Sequence, residues 1–100
     1  VARFTTIYPG WYRGRAVHIH FKVRSPAGAG RAHAFTSQLF FPDELTDRVH
    51  AQAPYAQKGQ RDRRNAQDGI YRQGGAQLLL SPVPAGDGLD ASFAMGLQLA

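Results

Sequence analysis

The sequence predicts an all-β protein, a β-sandwich with one or two short helices and long loops. Three observations carry that expectation. Residues 17–24 alternate strictly, with His18, His20 and Lys22 on one face and Val17, Ile19, Phe21 and Val23 on the other, which is the period of a half-buried strand. The other strand-like runs are mostly short and separated by Gly and Pro turns. The chain has 100 residues, one small domain at most, with a modest core.

Taken in order, residues 3–7 read as a strand rich in Thr and aromatics, and Pro9-Gly10 as a turn. The half-buried strand at 17–24 follows, then a loop at 25–30. Residues 32–41 read as a second strand, placing Thr36, Gln38 and Phe40 on one side and Phe35, Ser37, Leu39 and Phe41 on the other. Pro42-Asp43-Glu44 starts a short helix running to about residue 51, because proline and acids favour a first turn. Residues 52–75 read as irregular, with Pro54, Gly59, Gly69, Gly74 and Gly75. A loop of that length in a small domain is usually functional or poorly ordered. Residues 76–80 and 89–99 read as two further strands, with a turn at Ala85-Gly86-Asp87-Gly88.

Composition removes several functional classes. Without cysteine, disulfides, zinc ribbons and iron–sulfur clusters are excluded. No run of 18 apolar residues exists, so no transmembrane helix is expected. The net charge of +5 suits nucleic acid in principle, but the arginines are dispersed. The one dense cluster, Arg61-Asp62-Arg63-Arg64, contains an acid and reads as a solvated surface segment, so no nucleic-acid partner is expected. The only methionine is Met95, and residues 1–4 read as a strand in mid-course; the expectation is a C-terminal piece, in which the lack of a signal peptide carries no information.

The chemistry-bearing feature is the stretch from Tyr8-Pro9-Gly10-Trp11-Tyr12 to His18-Ile19-His20. Side chains two apart on a strand share a face, with Cα atoms roughly 6.5 Å apart. Two imidazoles so placed can bind one metal ion. Tyr12 lies just upstream across Arg13-Gly14, where a bend brings its phenol to the same point. Imidazoles with a phenolate form a hard donor set suited to ferric iron.

The string Phe4-Thr5-Thr6-Ile7-Tyr8-Pro9-Gly10-Trp11-Tyr12, the block Arg15-Ala16-Val17-His18-Ile19-His20 and the block Thr36-Ser37-Gln38-Leu39-Phe40-Phe41 resemble the intradiol ring-cleavage dioxygenases, the non-haem iron(III) family that includes catechol and protocatechuate dioxygenases. Asn65-Ala66-Gln67-Asp68-Gly69-Ile70 is similar to a segment common in the small, often secreted branch of that family. The resemblance covers nearly the whole chain, is specific over residues 4–41 and is looser after residue 71. It implies that residues 1–100 are a single partial domain, the C-terminal part of a catalytic β-sandwich. The activity it implies is cleavage of a catechol-type ring by O2 between the two hydroxylated carbons, giving a muconate-type product. The implied metal ligands are Tyr12, His18 and His20, holding Fe(III). In the family the tyrosine leaves the metal when substrate binds and helps take up a catechol proton. Arg15 then lies over the substrate ring, and Gln38 lines the same pocket. Each histidine is expected to donate its other ring N–H to an acceptor that the sequence does not identify. Tyr8 and Trp11 are read as packing, His33 and His50 as surface residues.

The resemblance also implies a second tyrosinate, several tens of residues upstream of Tyr12 and outside these 100 residues, so the piece alone is expected to be inactive. Two rival readings stay open. One is an inactive β-sandwich binding or accessory domain. The other is a cupin-like metal enzyme, which would require an acid shortly after the histidines, where Phe21-Lys22-Val23-Arg24-Ser25 offers none. The sequence leaves open which catechol is the substrate, whether the protein is a homo-oligomer, and its compartment.

Overall fold

The computed structural model describes residues 2–24, 34–86 and 88–95. These residues are mostly strands and loops with one α-helix, in keeping with the all-β expectation. Strand β1, His18–Arg24, pairs antiparallel with β2, Ala34–Phe40. The helix α1, Asp43–His50, follows at once. Two three-residue strands, β3 at Val83–Ala85 and β4 at Gly88–Asp90, pair antiparallel as a second small sheet. Among the described residues each sheet has two strands, which is less than a sandwich.

The alternation in β1 has the expected effect. Val17, Phe41 and Leu80 form the core, with Tyr8, Trp11, Ile19, Leu39 and Phe93 packed around them. The opposite face carries His18, His20, Gln38 and Phe40, because His18 pairs with Phe40 and His20 with Gln38, and directly opposed residues point the same way. Phe40 is fully buried on that face. Its carbonyl accepts the Leu80 N–H at 2.8 Å, and Leu79 makes an isolated parallel bridge to it.

Three expected strands differ from what is observed. Residues 3–7 form no strand, and Phe4 and Ile7 are exposed; no described strand lies alongside to take their backbone hydrogen bonds. Residues 76–80 instead enter a 3₁₀ turn, Gly75–Leu78, because Gly74 adopts a left-handed conformation (φ 114°) that turns the chain there. The strand expected at 89–99 is limited to Gly88–Asp90. Its partner is three residues long and contains Pro84, which has no N–H to donate; residues 96–99 lie outside the described set.

The segment 52–75 holds further 3₁₀ turns at Tyr55–Lys58, Asn65–Gln67 and Tyr71–Gln73. It is tied down by charge, and the solvated reading of the arginine cluster is corrected at Arg61, which is buried, while Asp62 and Arg64 are exposed as expected. The Arg61 side chain is 3% exposed and bonds Asp43 at 2.9 Å and Asp47 at 3.0 Å, while Arg64 reaches Asp47 at 2.9 Å. The acids of α1 thus recruit the arginines and clamp the loop onto the helix. Asn65 adds a bond from its side-chain amide to the Phe41 carbonyl at 2.7 Å.

Close packing at Gly75 gives a direct test of this arrangement. A Cβ there would stand 2.7 Å from Cδ2 of Tyr71 and 3.1 Å from the Phe40 ring. Gly75→Ala is expected to destabilise the fold by about 1–3 kcal/mol through overpacking, read as a lower denaturant midpoint; an unchanged midpoint would contradict the packing.

Candidate metal and substrate site

The turn that carries Tyr12 is pinned from several sides. Tyr8 packs against Phe41 with ring centroids 4.5 Å apart, and its hydroxyl meets that of Thr46 at 2.6 Å. Burial pushes the Tyr8 phenol up to about 12, so it stays protonated. Tyr55 donates to the Tyr8 carbonyl at 2.7 Å. His50, expected at the surface, is buried instead, stacked on Tyr55 and bonded through Nε2 to the Pro9 carbonyl at 2.9 Å; His33 lies outside the described residues. The Trp11 indole donates to the Gly59 carbonyl at 3.2 Å, and Lys58 donates to the Trp11 carbonyl. Gly14, at φ 82°, makes the bend between Tyr12 and β1, and its N–H meets both Asp62 carboxylate oxygens at 3.2 Å.

That bend brings Tyr12 onto His18. The phenol oxygen is 3.2 Å from His18 Nε2. On the other side of the imidazole, Nδ1 is 2.8 Å from the Ala16 carbonyl. A carbonyl only accepts, so Nδ1 carries the proton and Nε2 presents its lone pair toward Tyr12. This supplies the acceptor for His18 that the sequence could not identify. His20 lies two residues further along the same face, exposed.

The second group is Arg15 with Gln38. The guanidinium Nη2 donates to Gln38 Oε1 at 2.6 Å, and Nε donates to Asp68 Oδ2 at 2.7 Å. Since Gln38 pairs with His20 across the ladder, this group lies on the strand face that bears the histidines.

Asp68 is the site-proximal residue to which the sequence assigns no role, although its segment is part of the family resemblance. It is fully buried and its carboxylate is saturated with donors. Oδ2 takes the Arg15 Nε–H and the Ala16 N–H, each at 2.7 Å. Oδ1 takes the N–H groups of Ile70 and Tyr71, each at 2.9 Å, the local Asp turn that Asp-Gly favours. Burial works to raise its pKa; the Arg15 guanidinium and the N–H groups of Tyr71 and Ala16 outweigh it and bring the carboxyl down to about 2.

A carboxyl depressed in the folded state stabilises the fold above its unfolded pKa and loses that contribution as pH falls through the folded one. Stability is therefore expected to drop between pH about 4 and about 2. Denaturant unfolding across that window should show a shallower pH dependence in Asp68→Asn than in the parent; identical slopes would contradict the assignment.

Two donors bound in adjacent positions of one metal ion, each about 2.1 Å from it, stand about 3 Å apart. The Tyr12–His18 separation matches that spacing, and phenolate with imidazoles is a donor set that fits ferric iron. Among the described residues no group of three or more His, Asp or Glu side chains is gathered for a metal, so any cation here relies on the phenol.

The fold is shared with known proteins. A solved intradiol ring-cleavage dioxygenase from Tetranychus urticae matches with a TM-score of 0.70 at 24% identity, over 85% of this chain and 41% of that one. A second solved structure, described as a dioxygenase, matches with a TM-score of 0.66 at 25% identity, over 78% of this chain and 37% of its own. The resemblance to intradiol ring-cleavage dioxygenases is thus present in the backbone as well as in the motifs, and the chain spans about two fifths of the length of these neighbours. No family model matches the chain, and no curated protein matches it in sequence.

Proposed function

We propose that this chain is the C-terminal part of a non-haem iron(III) intradiol dioxygenase, completing a β-sandwich with an upstream part, and that the assembled enzyme cleaves catechol-type rings with O2. The observation that carries the reading is the contact of Tyr12 with the bare nitrogen of His18, on the strand face that also bears His20 and the Arg15–Gln38 pair. A binding domain that only kept the fold would have no need of a phenol poised against an imidazole lone pair.

Tyr12, His18 and His20 would hold the iron. When bound, it would supply a Lewis acid and template that activates the catechol ring toward O2. The chain's own residues do the rest. The Ala16 carbonyl holds the His18 ring in the tautomer that offers Nε2. The Tyr12 side chain is half-exposed, and as a phenolate, the form in which it would hold the iron, its oxygen would take up a proton from a substrate hydroxyl and become the neutral phenol. Arg15, with Gln38 beside it, offers fixed N–H donors to negative charge developing on the ring.

The test is product analysis with the full-length protein, meaning this chain together with its upstream part. Incubation in air with catechol, protocatechuate and hydroxyquinol in turn should give, for at least one of them, the matching cis,cis-muconate with stoichiometric uptake of O2. Cleavage outside the two hydroxyls, or no cleavage of any of them, would reject the reading.

A further inference from the structure

The Arg15 guanidinium does not reach the site from a free surface position. It is gripped at Nε by a carboxylate with no exposed surface and at Nη2 by Gln38, both at or below 2.7 Å. We infer that Asp68 is the positioning residue that aims Arg15 at the substrate, an assignment resting on the function proposed above.

Three features support it. First, the two Asp68 oxygens divide the work. Oδ1 is spent on the local turn, on Ile70 and Tyr71, while Oδ2 is spent on Arg15 and Ala16, 53 and 52 residues away. A residue needed only for the turn would not require the second oxygen. Second, the grip is on Nε, the base of the guanidinium plane. A bond there with a second at Nη2 fixes both the position and the tilt of the plane. Among the described residues, two of the five N–H donors of the guanidinium are thereby used, and the others remain for substrate. Third, the same Oδ2 accepts the Ala16 N–H at 2.7 Å, so the carboxylate is itself held against the start of β1, beside the residue it grips. Holding a long, rotamer-rich side chain before substrate arrives removes an ordering cost from the reaction step.

Asp68→Asn is the informative change. An amide keeps one oxygen for the turn and presents an NH2 to Arg15 Nε–H and Ala16 N–H, which are both donors. In the full-length protein, Asp68→Asn is expected to keep bound iron and anaerobic catechol affinity within about twofold of the parent and to lower kcat by roughly 10-fold or more. If Asp68 acts through Arg15, the two substitutions are not additive: in an Arg15→Ala background, Asp68→Asn should change kcat by less than about twofold. Multiplication of the two single effects, or loss of iron in Asp68→Asn, would overturn the assignment in favour of a purely structural carboxylate. Should Asp68→Asn not fold, Arg15→Ala with Asp68 intact decides the matter. Added guanidinium ion should then restore turnover by seating between Asp68 and Gln38, and no restoration would overturn the inference. All comparisons are made against a parent that cleaves a catechol; a parent that cleaves none is a failure of the proposed function, distinct from failure of this assignment.

Discussion

Replacing His18 or His20 with alanine in the full-length protein is expected to remove most of the bound iron. Each change deletes one imidazole from a donor set that has few members, and the described residues hold no spare cluster of His, Asp or Glu to take its place. The two variants should differ in what else they disturb. His18 bonds the Ala16 carbonyl and touches Tyr12, and its ring lies 6.3 Å from that of Phe40. His18→Ala therefore frees Tyr12 as well and should cost some stability. His20 is exposed, so His20→Ala should lose iron with little change in the unfolding midpoint. Metal analysis of the purified variants checks this, and normal iron content in both would remove these histidines from the site.

Arg15→Ala separates catalysis from metal binding. The Arg15 side chain bonds Asp68 and Gln38, and among the described residues it makes no hydrogen bond to Tyr12 or His18; only its backbone N–H, which alanine keeps, meets the Tyr12 carbonyl at 3.4 Å. Iron content and colour should therefore persist. Turnover should fall by roughly 10²-fold or more, the scale for losing one preorganised electrostatic group. Arg15→Lys should recover little, because an ammonium cannot bond Asp68 and Gln38 in one plane and still face the substrate. Steady-state kinetics with a catechol reads the outcome; near-parent kcat in Arg15→Ala would reject the catalytic role and leave the metal site untouched.

The parts of the fold legible in the sequence are those whose signal is local. The alternation over 17–24 is visible in the chain itself, as are the acids and proline that open α1, and both elements lie within two residues of their expected bounds. The expected strand at 3–7 failed because a strand needs a neighbour, and pairing is not a property of five residues. The leucines at 78–80 suit a strand or a buried turn equally well, and Gly74 with Gly75 decided for the turn. Burial was the least legible quantity. His50 and Arg61 look like surface residues until α1 supplies one with Tyr55 as a stacking partner beyond its end and the other with Asp43 and Asp47.

The site divides in the same way. Tyr12 and His18 are six residues apart, so a bend and a strand are enough to bring them together. Arg15 and Gln38 are legible only through the family resemblance, which implies their place beside the substrate. Asp68 was out of reach, since its role arises from a contact across 53 residues, and the sequence around it announces only a turn.

The most direct measurement is the visible spectrum and iron content of the full-length protein beside its Tyr12→Phe variant. Ferric tyrosinate absorbs visible light, and phenylalanine keeps the ring but deletes the oxygen that faces His18 Nε2. The account predicts one iron per chain, a coloured protein, and a shifted, weaker band in Tyr12→Phe with part of the iron retained by the remaining ligands. A colourless, iron-free parent after reconstitution, or a band identical in the two proteins, would contradict it.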